Sequence, residues 1–315
     1  MRPVDVVFTW VDGSTAKFRE NFTRFAVGAQ DMARLPQRFS DNGELRYAVR
    51  SVKRNMPWVR DVIVVHNGEP PSLGGVRLVS HSDIFPDSGH LPTFSSTAIE
   101  CHLHRIPSLS EDFIYFNDDF FVCRPVSPED LQGQHGLGRV ILDNGLMNSP
   151  PNREWELFRW LLWVTNAALD ARFGPAKRNA PAHTPQWYNR TLCSIVENEW
   201  ERPLRQTSAH RFRTRGDLWF RALYCYYVVY MRHGLMDSDA LCEKAGNDFH
   251  KANDKDAVTI LFGDKDANFR AQVRQVLEVP PMFLCLNDHI SHSDPNEGAK
   301  LQMEMVDFLN RMFPN

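Results

Sequence analysis

No stretch of the 315-residue chain approaches the roughly 18 consecutive apolar residues of a membrane helix. Met1-Arg2-Pro3 leads straight into VDVVFTW, without the long apolar segment of a secretory signal. These absences predict a soluble protein with no integral membrane segment. Charge of one sign is also scarce: 36 Lys and Arg face 39 Asp and Glu, a formal net charge of -3. That argues against a chain that coats nucleic acid and confines phosphate binding to a local site. The six cysteines, Cys101, Cys123, Cys193, Cys225, Cys242 and Cys285, form no CxxC pair. A zinc ribbon and a dense disulfide scaffold are disfavoured, and reduced thiols in a cytosol are the expectation. P-loop, GxGxxG, HExxH and GxSxG signatures are all missing, which weakens kinase, dehydrogenase, metalloprotease and hydrolase readings.

What is present is a globular composition, 43% hydrophobic and 24% charged. Val4 to Trp10 is apolar and β-branched and ends at Val11-Asp12-Gly13, the pattern of a buried strand and its turn. Asp41-Asn42-Gly43-Glu44 precedes a helix with Leu45, Ala48, Val49 and Val52 on one face. Strands follow at Val59 to Val65 and Val76 to Val79, then a helix capped by Ser95 or Ser96 and running to about Arg105, then a strand at Asp112 to Phe116. This alternation predicts an α/β fold with a Rossmann-like, mainly parallel sheet flanked by helices, whose ligands gather at the carboxyl ends of the strands. Asp12, Asn67 and the run Asn117-Asp118-Asp119 all fall there.

Residues 1–150 are thus expected to form a nucleotide-binding α/β core. Residues 151–315 read as a helical half that completes one integrated catalytic domain, with helices at Glu154 to Leu169, Tyr188 to Trp200, Leu218 to Met231, Asp266 to Leu277 and Pro295 to Met312. Loops at Asn179 to Pro185 and Pro280 to His292 separate them.

Three polar groups directly after an apolar strand are costly to bury without a partner, and Asn117-Asp118-Asp119 therefore suggests a divalent cation shared with substrate phosphates. The same run also suits a turn with an Asx cap. Glu100 lies among apolar neighbours, where a carboxylate can take a raised pKa and move protons; a solvated helix Glu is the plainer alternative. His102 and His104 read as ordinary helix histidines. His183, held between prolines in PAHTP, and Arg213, in HRFRTR before a helix, suit proton transfer and phosphate recognition, or else a plain loop and a solvated face. Cys285-Leu286-Asn287-Asp288-His289 is either a structural turn or a second oxygen-rich segment returning to the site.

Taken together, DVVFTWVDG, DNGELRYAVRSV, HLPTFSSTAIECHLHRIPSLSEDFIYFNDDFF, PAHTP and FLCLNDHISH closely resemble the four ordered blocks of the Stealth family, across nearly the whole chain. That family includes bacterial capsule hexose-1-phosphate transferases and the catalytic subunit of the animal lysosomal-enzyme N-acetylglucosamine-1-phosphotransferase. The resemblance implies a GT-A-like nucleotide-sugar fold and a catalytic set of Glu100, Asp119, His183 and Arg213. It implies donor contacts from Thr9, Trp10, Val11, Asp12, Gly13, Arg46, Ser95 or Ser96, and Asn117, and a Mg2+ or Mn2+ site built from Asp118 and Asp119 with Asn287 or Asp288. The blocks are worded much like the animal core, yet its accessory modules are missing, so a minimal bacterial core is expected, cytoplasmic and peripheral to the inner membrane at most.

The reaction so implied takes a UDP-sugar donor, UDP-N-acetylglucosamine or a related UDP-hexose, and a carbohydrate or glycan acceptor. Attack on the sugar-bearing phosphorus would release UMP, with Glu100 or His183 as base. Two rivals stand beside it: a metal-dependent glycosyltransferase that releases UDP, and a catalytically silent carbohydrate-binding protein. Acceptor choice is expected in the helical half and in the loops Asp83 to His90 and Gly133 to Gly145.

Overall fold

The computed structural model describes residues 2–133, 136–149, 151, 157–234, 237–263, 267–290 and 295–314. In the first half the elements are β1 (Val4–Trp10), α1 (Ala16–Phe25), α2 (Glu44–Asn55), β2 (Val62–His66), β3 (Arg77–Ser80), α3 (His81–Ile84), α4 (Ser96–Glu100), β4 (Asp112–Asn117), β5 (Phe120–Val122), α5 (Pro128–Leu131) and β6 (Val140–Leu146). They are followed by α6 (Leu157–Phe173), β7 (Asn179–Pro181), β8 (Gln186–Asn189), α7 (Arg190–Glu199), α8 (Glu201–Ala209), α9 (Phe220–His233), α10 (Ser238–Lys244), β9 (Phe249–Lys251), β10 (Ala257–Phe262), α11 (Phe269–Glu278), β11 (Phe283–Asp288) and α12 (Pro295–Met312).

The main sheet has the order β3-β2-β1-β4-β8. Its first four strands are parallel, with Val6 opposite both Val62 and Ile114, and β8 closes the sheet antiparallel to β4. Side chains alternate across a strand with period two, so each strand feeds two cores. Val7, Ile63, Val65, Phe113 and Tyr115 face a core shared with Ala98, Ile99 and Leu223. Val6, Phe8, Val64, Ile114 and Phe116 face the other, shared with Leu45, Val49 and Phe308. Helices thus cover both faces, as expected for an α/β fold with a mainly parallel sheet.

The second half is not simply helical. It supplies β8 to the main sheet, β10 and β11 to a small sheet with β5, and β7 and β9 to another with β6. Short apolar runs do not distinguish strand from helix by periodicity, and the expectation fails where long-range pairing decides. The helix expected from Tyr188 begins at Arg190, because Gln186–Asn189 pair with Tyr115–Asp112. The loop expected over Pro280 to His292 contains β11, buried between β10 and β5, and β7 occupies the start of the loop expected from Asn179. The helix expected from Ser95 or Ser96 to Arg105 stops at Glu100 and resumes only as a 3-10 turn over Leu103–Arg105. The second strand starts at Val62 rather than Val59. Parts of the expected loop Gly133 to Gly145, of the helices from Glu154 and Asp266, and Ser291 and His292 lie outside the described residues.

All six cysteines are unpaired. Among the described residues no helix is long and apolar enough to cross a membrane.

Candidate active site

β4 is apolar and buried through Phe116, then breaks into Asn117-Asp118-Asp119, whose side chains are half-buried. The turn is tied to β11 twice: Leu286 N donates to Asp119 O at 3.0 Å, and the Cys285 thiol donates to Asp119 Oδ2 at 3.4 Å. Asp119 Oδ1 is buried with no hydrogen-bond partner among the described residues. Burial raises the Asp119 pKa to about 6, while the Cys285 hydrogen bond pulls the other way. Asp118 is pushed well above the usual carboxylate range by burial and then by Asp119, Glu44 and Asp41.

His183 stands at the bend between β7 and β8. Its Nε2 lies 3.3 Å from Asn117 Nδ2, its Nδ1 lies 3.7 Å from Cys285 Sγ, and its ring meets Phe120 edge-on with centroids 4.8 Å apart. The residue is exposed, yet the surrounding protein, with Arg221 and Arg213, lowers its pKa.

Glu100 closes α4 on the same side of the sheet and is 7% exposed. Its Oε2 has no hydrogen-bond partner among the described residues. Burial raises its pKa, opposed by Arg221, Arg213 and the nearby Trp219 indole and Tyr115 hydroxyl. Arg213 donates to Ser96 Oγ, which joins the loop before α9 to the start of α4. Contacts and charges thus link Asn117, Asp119, His183, Glu100 and Arg213 near the carboxyl end of β4, with Asp118 joined to them through Asp119.

The expected donor contacts divide by sheet face. Thr9 Oγ1 lies 3.2 Å from the Tyr115 hydroxyl on the Glu100 side. Trp10 points to the opposite side, its indole beside Asp41. Val11 is half-buried, and Asp12 Oδ1 accepts from Ser14 N at 2.7 Å. Gly13 is pressed against Phe39, whose carbonyl accepts its N–H at 2.8 Å. Arg46 is exposed over the Tyr47 ring at 4.9 Å and within electrostatic reach of Asp41. Ser96 is half-buried and meets Arg213, whereas Ser95 is fully buried and bonded to Thr97 at 2.7 Å, so its hydroxyl faces the core rather than a donor. His102 and His104 are buried beneath the site, beside Ser208 at 2.6 Å and Glu197 at 3.0 Å.

Asn287 and Asp288 end β11 next to this turn. Asp288 Oδ2 accepts from Asn42 Nδ2 at 3.2 Å and its Oδ1 from Ile290 N at 2.8 Å, and its charge acts on Asp119. Among the described residues no three His, Cys, Asp or Glu side chains converge tightly enough to cage an ion unaided. The donor set still fits a hard cation: the Asp119 Oδ1 atom lacks a partner among the described residues, and Asp118, raised by burial, is raised further by three neighbouring carboxylates that a cation would offset. Magnesium commonly binds through one or two carboxylates, waters and substrate phosphates.

Residue-level reading of the sequence missed Tyr115, Trp219 and Arg221. Tyr115 and Trp219 look like core aromatics. Arg221 did carry a signal, as the one cation in the apolar run FRALYCYYVVY, since a charge in such surroundings needs a partner.

Residues 38–140 match the family model of Stealth protein CR2, conserved region 2, and residues 182–230 match Stealth protein CR3, conserved region 3. A capsular polysaccharide phosphotransferase of Actinobacillus pleuropneumoniae is 31% identical over 76% of this chain and 68% of its own length. An exopolysaccharide phosphotransferase of Streptomyces coelicolor is 30% identical over 99% of this chain and 50% of its own. Against two further Streptomyces coelicolor relatives, at 33% and 31% identity, the chain spans only 42% and 26% of their lengths. Among solved structures, the galactosyltransferase LgtC with donor and acceptor sugar analogs aligns over 97% of this chain and 95% of its own, at 11% identity and a TM-score of 0.40. By its two conserved regions and its 31% identity with a relative of which it spans 68%, the chain belongs to the Stealth family.

Proposed function

We propose that the chain transfers a hexose-1-phosphate, N-acetylglucosamine-1-phosphate or a close relative, from a UDP-sugar to a carbohydrate hydroxyl. The observation that carries this reading is that Glu100, Asp119, His183 and Arg213, from four separate segments, are linked near the strand ends: Asp119 and His183 meet at Cys285, Arg213 acts on Glu100 and His183, and Arg221 acts on Glu100, Asp119 and His183. The names of the curated relatives, capsular and exopolysaccharide phosphotransferases, support it.

The acceptor oxygen attacks the sugar-bearing β-phosphorus. The bridging P–O bond to the α-phosphate breaks, and UMP leaves with that oxygen. The anomeric C–O bond stays intact, so the product is a phosphodiester with the sugar's configuration retained. Such transfers depend mainly on positioning and on stabilising charge. Arg213, oriented by its bond to Ser96, pairs with a phosphate oxygen in this reading. The acceptor proton passes to Glu100, whose pKa is raised by burial, in preference to His183, whose pKa is lowered. His183 and Asn117 then serve to orient the hydroxyl or the phosphate. Asp118 and Asp119, supported by Asp288, would hold Mg2+ or Mn2+, which when bound supplies positive charge to the diphosphate.

Incubation with UDP-N-acetylglucosamine, Mg2+ or Mn2+ and a simple glycoside tests the reading. Metal-dependent UMP, lost in Asp119→Asn, is the expected product. Release of UDP instead would establish conventional glycosyl transfer.

A further inference from the structure

α9 is apolar on nearly every side, yet its second residue is Arg221, 2% exposed. A cation at that depth is strongly disfavoured unless its donors are met. Among the described residues it makes no salt bridge with a carboxylate. Instead its Nη1 donates to Thr184 O at 2.8 Å and, more weakly, to Ala182 O at 3.3 Å, the carbonyls on either side of His183. The guanidinium lies 5.5 Å from the Tyr115 ring, 5.7 Å from Trp219 and 5.9 Å from Phe120, so it is walled in by aromatic faces, a setting that suits arginine. Its charge acts on Glu100 and on Asp119. A methionine would fill the same space without recruiting two carbonyls, and packing alone gives no reason for the charge.

We propose that Arg221 is a positioning residue: it clamps the 182–184 bend so that His183 stays over Asn117 and Cys285, and its fixed positive charge acts on Glu100 and Asp119. The second role rests on the reaction proposed above; the clamp does not. Lysine keeps the charge but loses the planar guanidinium that the surrounding rings hold with Nη1 aimed at both carbonyls, whereas methionine loses the charge and the donor.

The test compares Arg221→Met and Arg221→Lys in the full chain. The first readout is alkylation of Cys285 by iodoacetamide, followed by mass spectrometry. Cys285 is buried beside the His183 bend, and Cys101 and Cys193, also buried, report global unfolding. Release of the bend in Arg221→Met should speed Cys285 labelling about tenfold or more while Cys101 and Cys193 stay protected, with a smaller rise in Arg221→Lys. The second readout is turnover. Arg221→Met should lower kcat about 100-fold with KM for the donor within about threefold. Glu100 is faced by Arg213, Arg221, Tyr115 and Trp219. With one of the two cations gone, the acid limb of kcat/KM should move to higher pH in Arg221→Met and stay in place in Arg221→Lys.

Unchanged Cys285 labelling together with near-wild-type kcat in Arg221→Met overturns the proposal. Labelling that rises at all three cysteines, with the acid limb unmoved, also overturns it, because the residue is then merely structural. If the wild-type chain releases no nucleotide from any UDP-sugar, the proposed reaction fails, and Cys285 labelling alone decides whether Arg221 is a clamp.

Discussion

The Cys285 thiol donates to Asp119 Oδ2 across 3.4 Å of space and 166 residues of sequence. That contact joins the end of β11 to the turn after β4 and sets the thiol between Asp119 and His183. It satisfies one carboxylate oxygen and leaves Oδ1 without a partner among the described residues, which is the arrangement expected where a ligand completes the shell.

A site kept ready for a cation should cost stability without one. The Asp119 pKa, raised from 3.8 to about 6, means that the folded state binds more protons than the unfolded state between those values. Stability contributed by the protonated group is full below pH 3.8 and is lost as pH rises through about 6. Asp119→Asn should therefore be more stable than the wild type in EDTA at pH 7.5, by on the order of 1–2 kcal/mol, with the gap closing near pH 4. Urea unfolding at both pH values checks this, and a variant less stable at pH 7.5 contradicts it.

Glu100→Gln should separate chemistry from folding. The site already resists the charged carboxylate, so the amide should leave the melting temperature equal or higher, while turnover drops about 100-fold or more. Activity within about threefold of wild type would remove Glu100 from the role of base and return His183 to it.

The loop that presents Arg213 is pinned by Asp217, which accepts from His210 Nδ1 at 2.7 Å and from Thr214 N at 2.9 Å. The Asp217 hydrogen bond raises the His210 pKa above 6.5, against burial. This contribution is complete below the unfolded pKa of 6.5 and disappears as pH rises through the folded value. His210→Gln should lower the melting temperature at pH 5.5 and have less effect at pH 9, in two thermal scans; an equal loss at both would show that the ring acts by packing alone.

Gly13 is needed for a close approach. A Cβ there would lie 2.6 Å from the Phe39 carbonyl oxygen and 2.9 Å from Phe39 Cβ. Gly13→Ala should cost about 1–3 kcal/mol of stability and move the loop after β1 away from Phe39. Chemical denaturation measures the first effect, and unchanged stability would mean that Phe39 gives way freely.

At the other end of β1, Asp5 is fully buried and takes Arg60 Nε and Nη2 at 2.9 and 2.6 Å and Ser110 N at 2.8 Å. Asp5→Ala should destabilise by about 3 kcal/mol with kcat little changed in the folded fraction, because the strand's amino end is remote from the chemistry. Equilibrium unfolding and active-site titration together decide it.

The strands at Val4–Trp10 and Asp112–Asn117 were legible because buried parallel strands are continuous apolar runs, and α2 and α12 because their apolar residues repeat along one helical face. The candidate residues Glu100, Asp119, His183 and Arg213 were legible through block resemblance, and polar groups after an apolar strand already pointed to Asn117-Asp118-Asp119. These signals are local: a few consecutive residues carry the cost of burial or the period of an element. Tertiary structure alone decided that Gln186–Asn189 would pair with β4, that β11 would return Cys285 to Asp119, that Ser96 rather than Ser95 would meet Arg213, and that Arg221 would reach across to the carbonyls around His183. Each depends on strand register and on partners dozens to more than a hundred residues away, where loop closure and packing select the contact and no local pattern records it.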